Sequence, residues 1–122
     1  KKIEAIKKEM VQPSLYGSKK PEIVLTGWGS TFGVIKETVD ALRARGKEAA
    51  SLHFNEIYPF PEPGEYLDVL KKAAISICIE NNATGQFARL VRAETGFEFK
   101  NKILRYDGRP FTVGYILDGL KI

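Results

Sequence analysis

The chain reads as an α/β domain, a three-layer α/β/α arrangement with a mainly parallel sheet between two layers of helices. Three observations predict it. Strand-like apolar runs alternate with helical stripes four times along 122 residues, which is the rhythm of βα units rather than of hairpins. The runs Ile23-Val24-Leu25 and Ile75-Ser76-Ile77-Cys78-Ile79 are nearly continuous in apolar character, as strands covered on both faces require. Each run then enters an amphipathic helix through a glycine-bearing loop, Gly27-Trp28-Gly29-Ser30-Thr31-Phe32-Gly33 in one case and Glu80-Asn81-Asn82-Ala83-Thr84-Gly85-Gln86 in the other.

Taken in order, residues 2–10 carry Ile3, Ile6 and Met10 at helical spacing and predict a lead-in helix. The stretch 12–18, with Pro13 and Gly17, reads as linker with at most a short extended piece. A strand over 22–26 precedes a helix over 31–45, with Ile35, Thr38, Val39 and Leu42 inward and Gly46 as its stop. A strand over 48–54 is weakly patterned but stands where a βαβ unit needs one. The segment Tyr58-Pro59-Phe60-Pro61-Glu62-Pro63-Gly64 is too rich in proline for helix or central strand and predicts a rigid loop. A helix over 65–73, a strand over 74–79 and a helix over 84–95, closed by Gly96, follow. A strand over 102–106 leads to a last helix over 112–121, whose Val113, Ile116, Leu117 and Leu120 fall at i, i+3, i+4 and i+7.

Composition narrows the function. Hydrophobic residues at 43% and charged residues at 28% are ordinary for a folded globular domain, and no apolar run approaches the roughly 20 residues of a membrane span. The net charge of +4 gathers partly on Lys1, Lys2, Lys7, Lys8, Lys19 and Lys20. Without an Arg/aromatic alternation or a binding motif it reads as a solvated face, so neither a membrane nor a nucleic acid is an expected partner. The single cysteine, Cys78, lies in an apolar run, excludes an internal disulfide and reads as a core residue of a reducing compartment, the cytoplasm. A first residue that is Lys rather than Met leads us to expect a piece of a longer chain.

The candidate site comes from the two loops. A strand that turns sharply into a helix leaves N–H groups at the positive end of the helix dipole, where an anion or a partner's carboxylate is favoured. Two such turns suggest one shared ligand or interface crevice, built by Gly27, Trp28, Gly29, Ser30 and Thr31 on one side and Glu80, Asn81, Thr84 and Gln86 on the other. The plainer reading is local: turn glycines with Ser30 or Thr31 as N-cap, and Glu80-Asn81-Asn82 capping the helix from Thr84. The glycine spacing departs from the dinucleotide fingerprint, whose third glycine comes one residue earlier and whose second strand ends in an acid; here it ends in His53-Phe54. The Gly-Lys-Ser/Thr of a Walker loop is absent as well. His53, the single histidine, has no Ser or Cys nucleophile nearby and reads as a core or rim residue. Trp28 and Phe32 are either a recognition surface or a packed lid over the turn. No catalytic residue and no metal ligand set is assigned.

Five blocks then point to a family: Gly27-Trp28-Gly29-Ser30-Thr31, His53-Phe54, Tyr58-Pro59-Phe60-Pro61, the run from Glu80 through Leu90, and Tyr106-Asp107-Gly108-Arg109-Pro110-Phe111. In order and spacing the chain resembles, over 1–122, the C-terminal part of the alpha subunit of 2-oxoacid:ferredoxin oxidoreductases. The resemblance implies a transketolase C-terminal-like domain with five strands in order 1-3-2-4-5, strand 1 antiparallel, and a first strand drawn from 11–16. It divides the chain into a lead-in helix with linker or short edge strand at 1–20 and the domain proper at 21–122. It also implies an enzyme that oxidises a 2-oxoacid to acyl-CoA on thiamine diphosphate with Mg²⁺, passing electrons through 4Fe-4S clusters to ferredoxin. Since clusters need several cysteine ligands, we expect this piece to bind none of these cofactors. Its expected partners are the beta subunit and the remaining alpha-chain domains, with ferredoxin reached through the whole complex. Its role would be assembly and the shaping of coenzyme A or substrate access. A free-standing binding or assembly module and the C-terminal domain of another thiamine enzyme are the alternatives.

Overall fold

A computed structural model of the chain describes residues 13–28, 31–54, 64–80, 86–104 and 111–120. Its elements are β1 (Ser14–Gly17), β2 (Ile23–Trp28), α1 (Phe32–Ala44), β3 (Ala49–Phe54), α2 (Glu65–Lys72), β4 (Ile75–Glu80), α3 (Gln86–Thr95), β5 (Asn101–Leu104) and α4 (Val113–Leu120). The strands form one sheet in the order β1-β3-β2-β4-β5. β1 runs antiparallel to β3, and the other pairs are parallel. Order and direction are those of a transketolase C-terminal-like domain, as the resemblance implies.

Within 12–18, read as linker with at most a short extended piece, β1 forms the short edge strand, pairing Leu15 with Leu52 and Tyr16 with Ser51. An edge strand of four residues is too short for a periodic signal, and its side chains are exposed or half-buried, so no apolar pattern marks it. What fixes it is tertiary: the Tyr16 hydroxyl donates to Asp40 of α1 at 2.6 Å, and the Lys36 ammonium lies 4.9 Å from the Tyr16 ring centre. That bond also raises the Tyr16 pKa above its ordinary value. The expected lead-in helix over 2–10, the rigid loop around Pro59 and Pro61, and the loop residues Gly29, Ser30, Asn81 and Thr84 lie outside the described residues.

Because strand side chains alternate, each buried strand feeds two cores. One face carries Val24, Leu52, Phe54 and Cys78 against α2 and α3, which bring Tyr66, Leu67, Leu70, Phe87, Ala88 and Val91. Phe54 is fully buried at its centre, edge-on to Tyr66 at 5.4 Å and Phe87 at 5.1 Å. Burial and the nearby Glu94 charge push the Tyr66 pKa up to about 12. The other face carries Ile23, Leu25, Ala49, Ile77, Ile79 and Ile103 against Ile35, Val39 and Leu42 of α1 and Ile116 and Leu120 of α4. Truncating a fully buried leucine such as Leu25 to alanine costs about 2–5 kcal/mol. The helix over 31–45 stops where expected: Gly46, at φ +82°, donates to the Arg43 carbonyl at 2.9 Å, a conformation that favours glycine.

Candidate functional site

Strand order places the candidate site. β2 lies between β3 and β4, so the chain extends the sheet to one side and then to the other. The carboxyl ends of β2 and β4 therefore face a common edge, the position where open α/β sheets form a crevice. Trp28, the last residue of β2, stacks on Phe87 of α3 with ring centres 6.1 Å apart. Trp28 of the first loop thus meets the residue that follows the second.

Gly27 is held by its neighbours. A Cβ there would lie 2.5 Å from Cδ1 of Ile35 and 2.7 Å from Oγ1 of Thr31, so α1 is seated directly on the glycine. Thr31 is the N-cap of α1, but its side chain makes no cap bond. Its hydroxyl instead donates to the Trp28 carbonyl at 3.3 Å, so Thr31 holds the N-cap position expected of Ser30 or Thr31 without the side-chain bond that usually goes with it. Trp28 and Phe32 remain 41% and 42% exposed, too open to be a packed lid and open enough to meet a partner.

Glu80 is the most informative residue of the edge. It is 2% exposed, and its carboxylate accepts from the backbone N–H of Phe87 at 2.6 Å and of Ala88 at 3.0 Å. It thereby serves the helix that follows its own strand. β4 ends in an acid because α3 begins without one, and the strand delivers the charge that the first turn lacks. The Cys78 thiol donates to the same carboxylate at 3.5 Å, and burial beside that charge pushes the thiol pKa up. Gln86 opens α3 on its exposed side.

His53, read from sequence as a core or rim residue, is buried at this edge. It pairs across β2 with Gly27, is 6% exposed, and sets its ring 4.8 Å from that of Phe32. Its Nδ1 is buried without a hydrogen-bond partner, as are Oγ of Ser51 two residues earlier and Oγ1 of Thr26. Burial lowers the His53 pKa below its ordinary value of 6.5. Register was the signal that would have found it: with the two strand ends aligned, the penultimate residue of β3 stands opposite the penultimate residue of β2. Among the described residues no group of three or more His, Cys, Asp or Glu is arranged to hold a metal ion, and no helix is long and apolar enough to cross a membrane.

A family profile described as "Pyruvate:ferredoxin oxidoreductase core domain II" matches residues 21–116. The alpha subunit of 2-oxoacid:ferredoxin oxidoreductase 1 from Aeropyrum pernix is 36% identical over 107 residues, 86% of this chain and 17% of that protein. The chain therefore spans about a sixth of the length of that curated relative. The structure of the alpha chain of a probable 2-oxoacid ferredoxin oxidoreductase from Thermoplasma acidophilum is 35% identical with a TM-score of 0.61, over 90% of this chain and 94% of that one. The 2-oxoglutarate:ferredoxin oxidoreductase of Magnetococcus marinus, solved with 2-oxoglutarate, coenzyme A and succinyl-CoA bound, shares the fold at a TM-score of 0.86. That match is 24% identical and covers 97% of this chain and 20% of the other.

Proposed function

Because the chain belongs to the pyruvate:ferredoxin oxidoreductase core domain II family, we propose that it serves as an assembly domain in the alpha subunit of a 2-oxoacid:ferredoxin oxidoreductase. The whole enzyme, in this reading, oxidatively decarboxylates a 2-oxoacid to acyl-CoA with ferredoxin as acceptor. Thiamine diphosphate with Mg²⁺ and 4Fe-4S clusters serve that chemistry elsewhere. A cluster does not fit this chain, which has one cysteine, buried, where a cluster takes four thiolates. The crevice carboxylate is likewise committed to α3 rather than free to ligate Mg²⁺.

The observation that carries the reading is the pair Trp28 and Phe32, both about two-fifths exposed beside a Glu80 whose charge is already satisfied internally. Half-exposed aromatic rings on a rigid edge are the usual anchors of a protein interface. We assign their partner to the remaining alpha-chain domains or the beta subunit, with the crevice bordering the path of coenzyme A or substrate. The experiment is co-expression of the chain with those parts, read by size exclusion and native mass. Co-elution is expected, and the double substitution Trp28→Ala, Phe32→Ala should weaken it at least about tenfold, a change of about 1.4 kcal/mol, with little change in the chain's own melting temperature. A chain that elutes alone at 13.7 kDa would favour the free-standing module instead.

A further inference from the structure

The crevice edge presents two helix amino ends with opposite provisions. α3 receives the buried carboxylate of Glu80. α1, thirteen residues long, has no acidic residue in its first turn and no side-chain cap bond from Thr31, so neither supplies an oxygen to its partial positive charge. A second feature lies against the same end. The imidazole of His53 packs on Phe32, the residue that opens α1, and its Nδ1 is sealed from solvent with no partner. A buried polar atom left unpaired costs about 1–3 kcal/mol, and the Oγ of Ser51, on the same strand face, is left in the same condition.

We propose that the amino end of α1, together with His53, is a binding site for an oxyanion, a carboxylate or phosphate presented by the partner that docks on this edge. The imidazole supplies an N–H donor and the first turn of α1 supplies backbone N–H groups, the pairing by which helix ends hold anions. The described neighbours of the ring do not oppose the charge. β1 sets Ser14 opposite His53, β2 sets Gly27 opposite it and α1 contributes Phe32, none of which ionises. The close seat of α1 on Gly27 fixes the helix end next to the strand end, so the donors need little reorganisation. The site rests on the assembly reading for the source of the oxyanion, and on this chain alone for its existence.

The test uses the single histidine, whose imidazole signals need no assignment. The 122-residue chain is titrated with acid in chloride, inorganic phosphate and acetate at matched ionic strength, following the imidazole by NMR. In chloride His53 is expected to titrate below 6.5. A bound oxyanion favours the imidazolium, so phosphate should raise that value by about one unit and move the amide signals of Phe32, Gly33 and Val34 but not those of Phe87 and Ala88. A response to phosphate alone identifies a phosphate ester as the occupant, and an equal response to acetate identifies a partner's carboxylate. Identical titrations in all three salts would overturn the site. So would a full response in Gly33→Asp, which supplies a carboxylate in cis and should abolish it. Loss of the response with co-elution intact sinks the site and spares the assembly reading; the reverse result does the opposite.

Discussion

The amino ends of α1 and α3 both lie at the carboxyl edge of the sheet, on its two opposite faces, each following a buried parallel strand, yet they are completed differently. At α3 the fold supplies its own anion, and Glu80 is 2% exposed with two backbone donors on its carboxylate. At α1 the preceding strand ends in Gly27-Trp28, and the residue beneath is a histidine with an unpartnered Nδ1. The same backbone feature is a structural joint in one place and an open electrostatic position in the other. What distinguishes them is which side chain the strand end delivers.

The largest effect should come from breaking the α3 joint. Glu80→Ala leaves the Phe87 and Ala88 N–H groups buried without an acceptor and should destabilise the chain by about 3 kcal/mol in urea unfolding. Glu80→Gln keeps one acceptor oxygen but brings an amide NH₂ against a donor, and should cost about half as much. A loss below ~0.5 kcal/mol for the alanine variant would mean that the carboxylate does not hold α3 to the sheet.

Next in size is the seat of α1. Gly27→Ala places a methyl within 2.5 Å of Ile35 Cδ1 and 2.7 Å of Thr31 Oγ1, so the two side chains that seat the amino end of α1 must give way, at about 1–3 kcal/mol. Their displacement should also weaken any phosphate response at His53, which Glu80→Gln should leave in place. If both variants affect that response alike, the two ends are not independent.

The third effect follows from His53. Burial lowers its pKa in the folded chain below 6.5, so between the folded and unfolded values the unfolded chain binds more protons. Stability from the neutral imidazole is therefore full above about pH 6.5, falls as pH drops below that, and levels once the folded value is passed. Urea midpoints at pH 7 and pH 5 should show this slope in the natural chain and lose part of it in His53→Gln. An unchanged slope would place the acid sensitivity on carboxylates.

The sheet was largely legible because its central strands are buried on both faces: Ile23–Leu25 and Ile75–Ile79 have no alternative fate. β1 was not, since Leu15 and Tyr16 are fixed by a register with β3 and a bond to Asp40, both long-range. At the crevice, sequence pointed to Glu80 through the apolar strand that delivers it, and to Trp28 through its glycine neighbours. It left open whether Glu80 serves the crevice or caps the next helix, because that depends on the reach from β4 to the N–H groups of Phe87 and Ala88. His53 was passed over for the same reason: without strand order, nothing says that it stands opposite Gly27.

The smallest effect tests the comparison most directly. Gly33, in the first turn of α1, has open space where a Cβ would go, so a side chain there meets no clash. Asparagine and aspartate have similar helix propensity, so the difference between Gly33→Asp and Gly33→Asn isolates the charge. At α1 the aspartate should be more stable by about 0.5 kcal/mol at low salt, fading as salt screens the dipole. The matched pair at α3, Gln86→Asp against Gln86→Asn, should show no gain or a small loss, since Glu80 already occupies that end and like charges repel. Equal gains at the two helices would erase the distinction between a filled end and an open one, because the buried carboxylate of Glu80 would then be electrostatically invisible to its own helix.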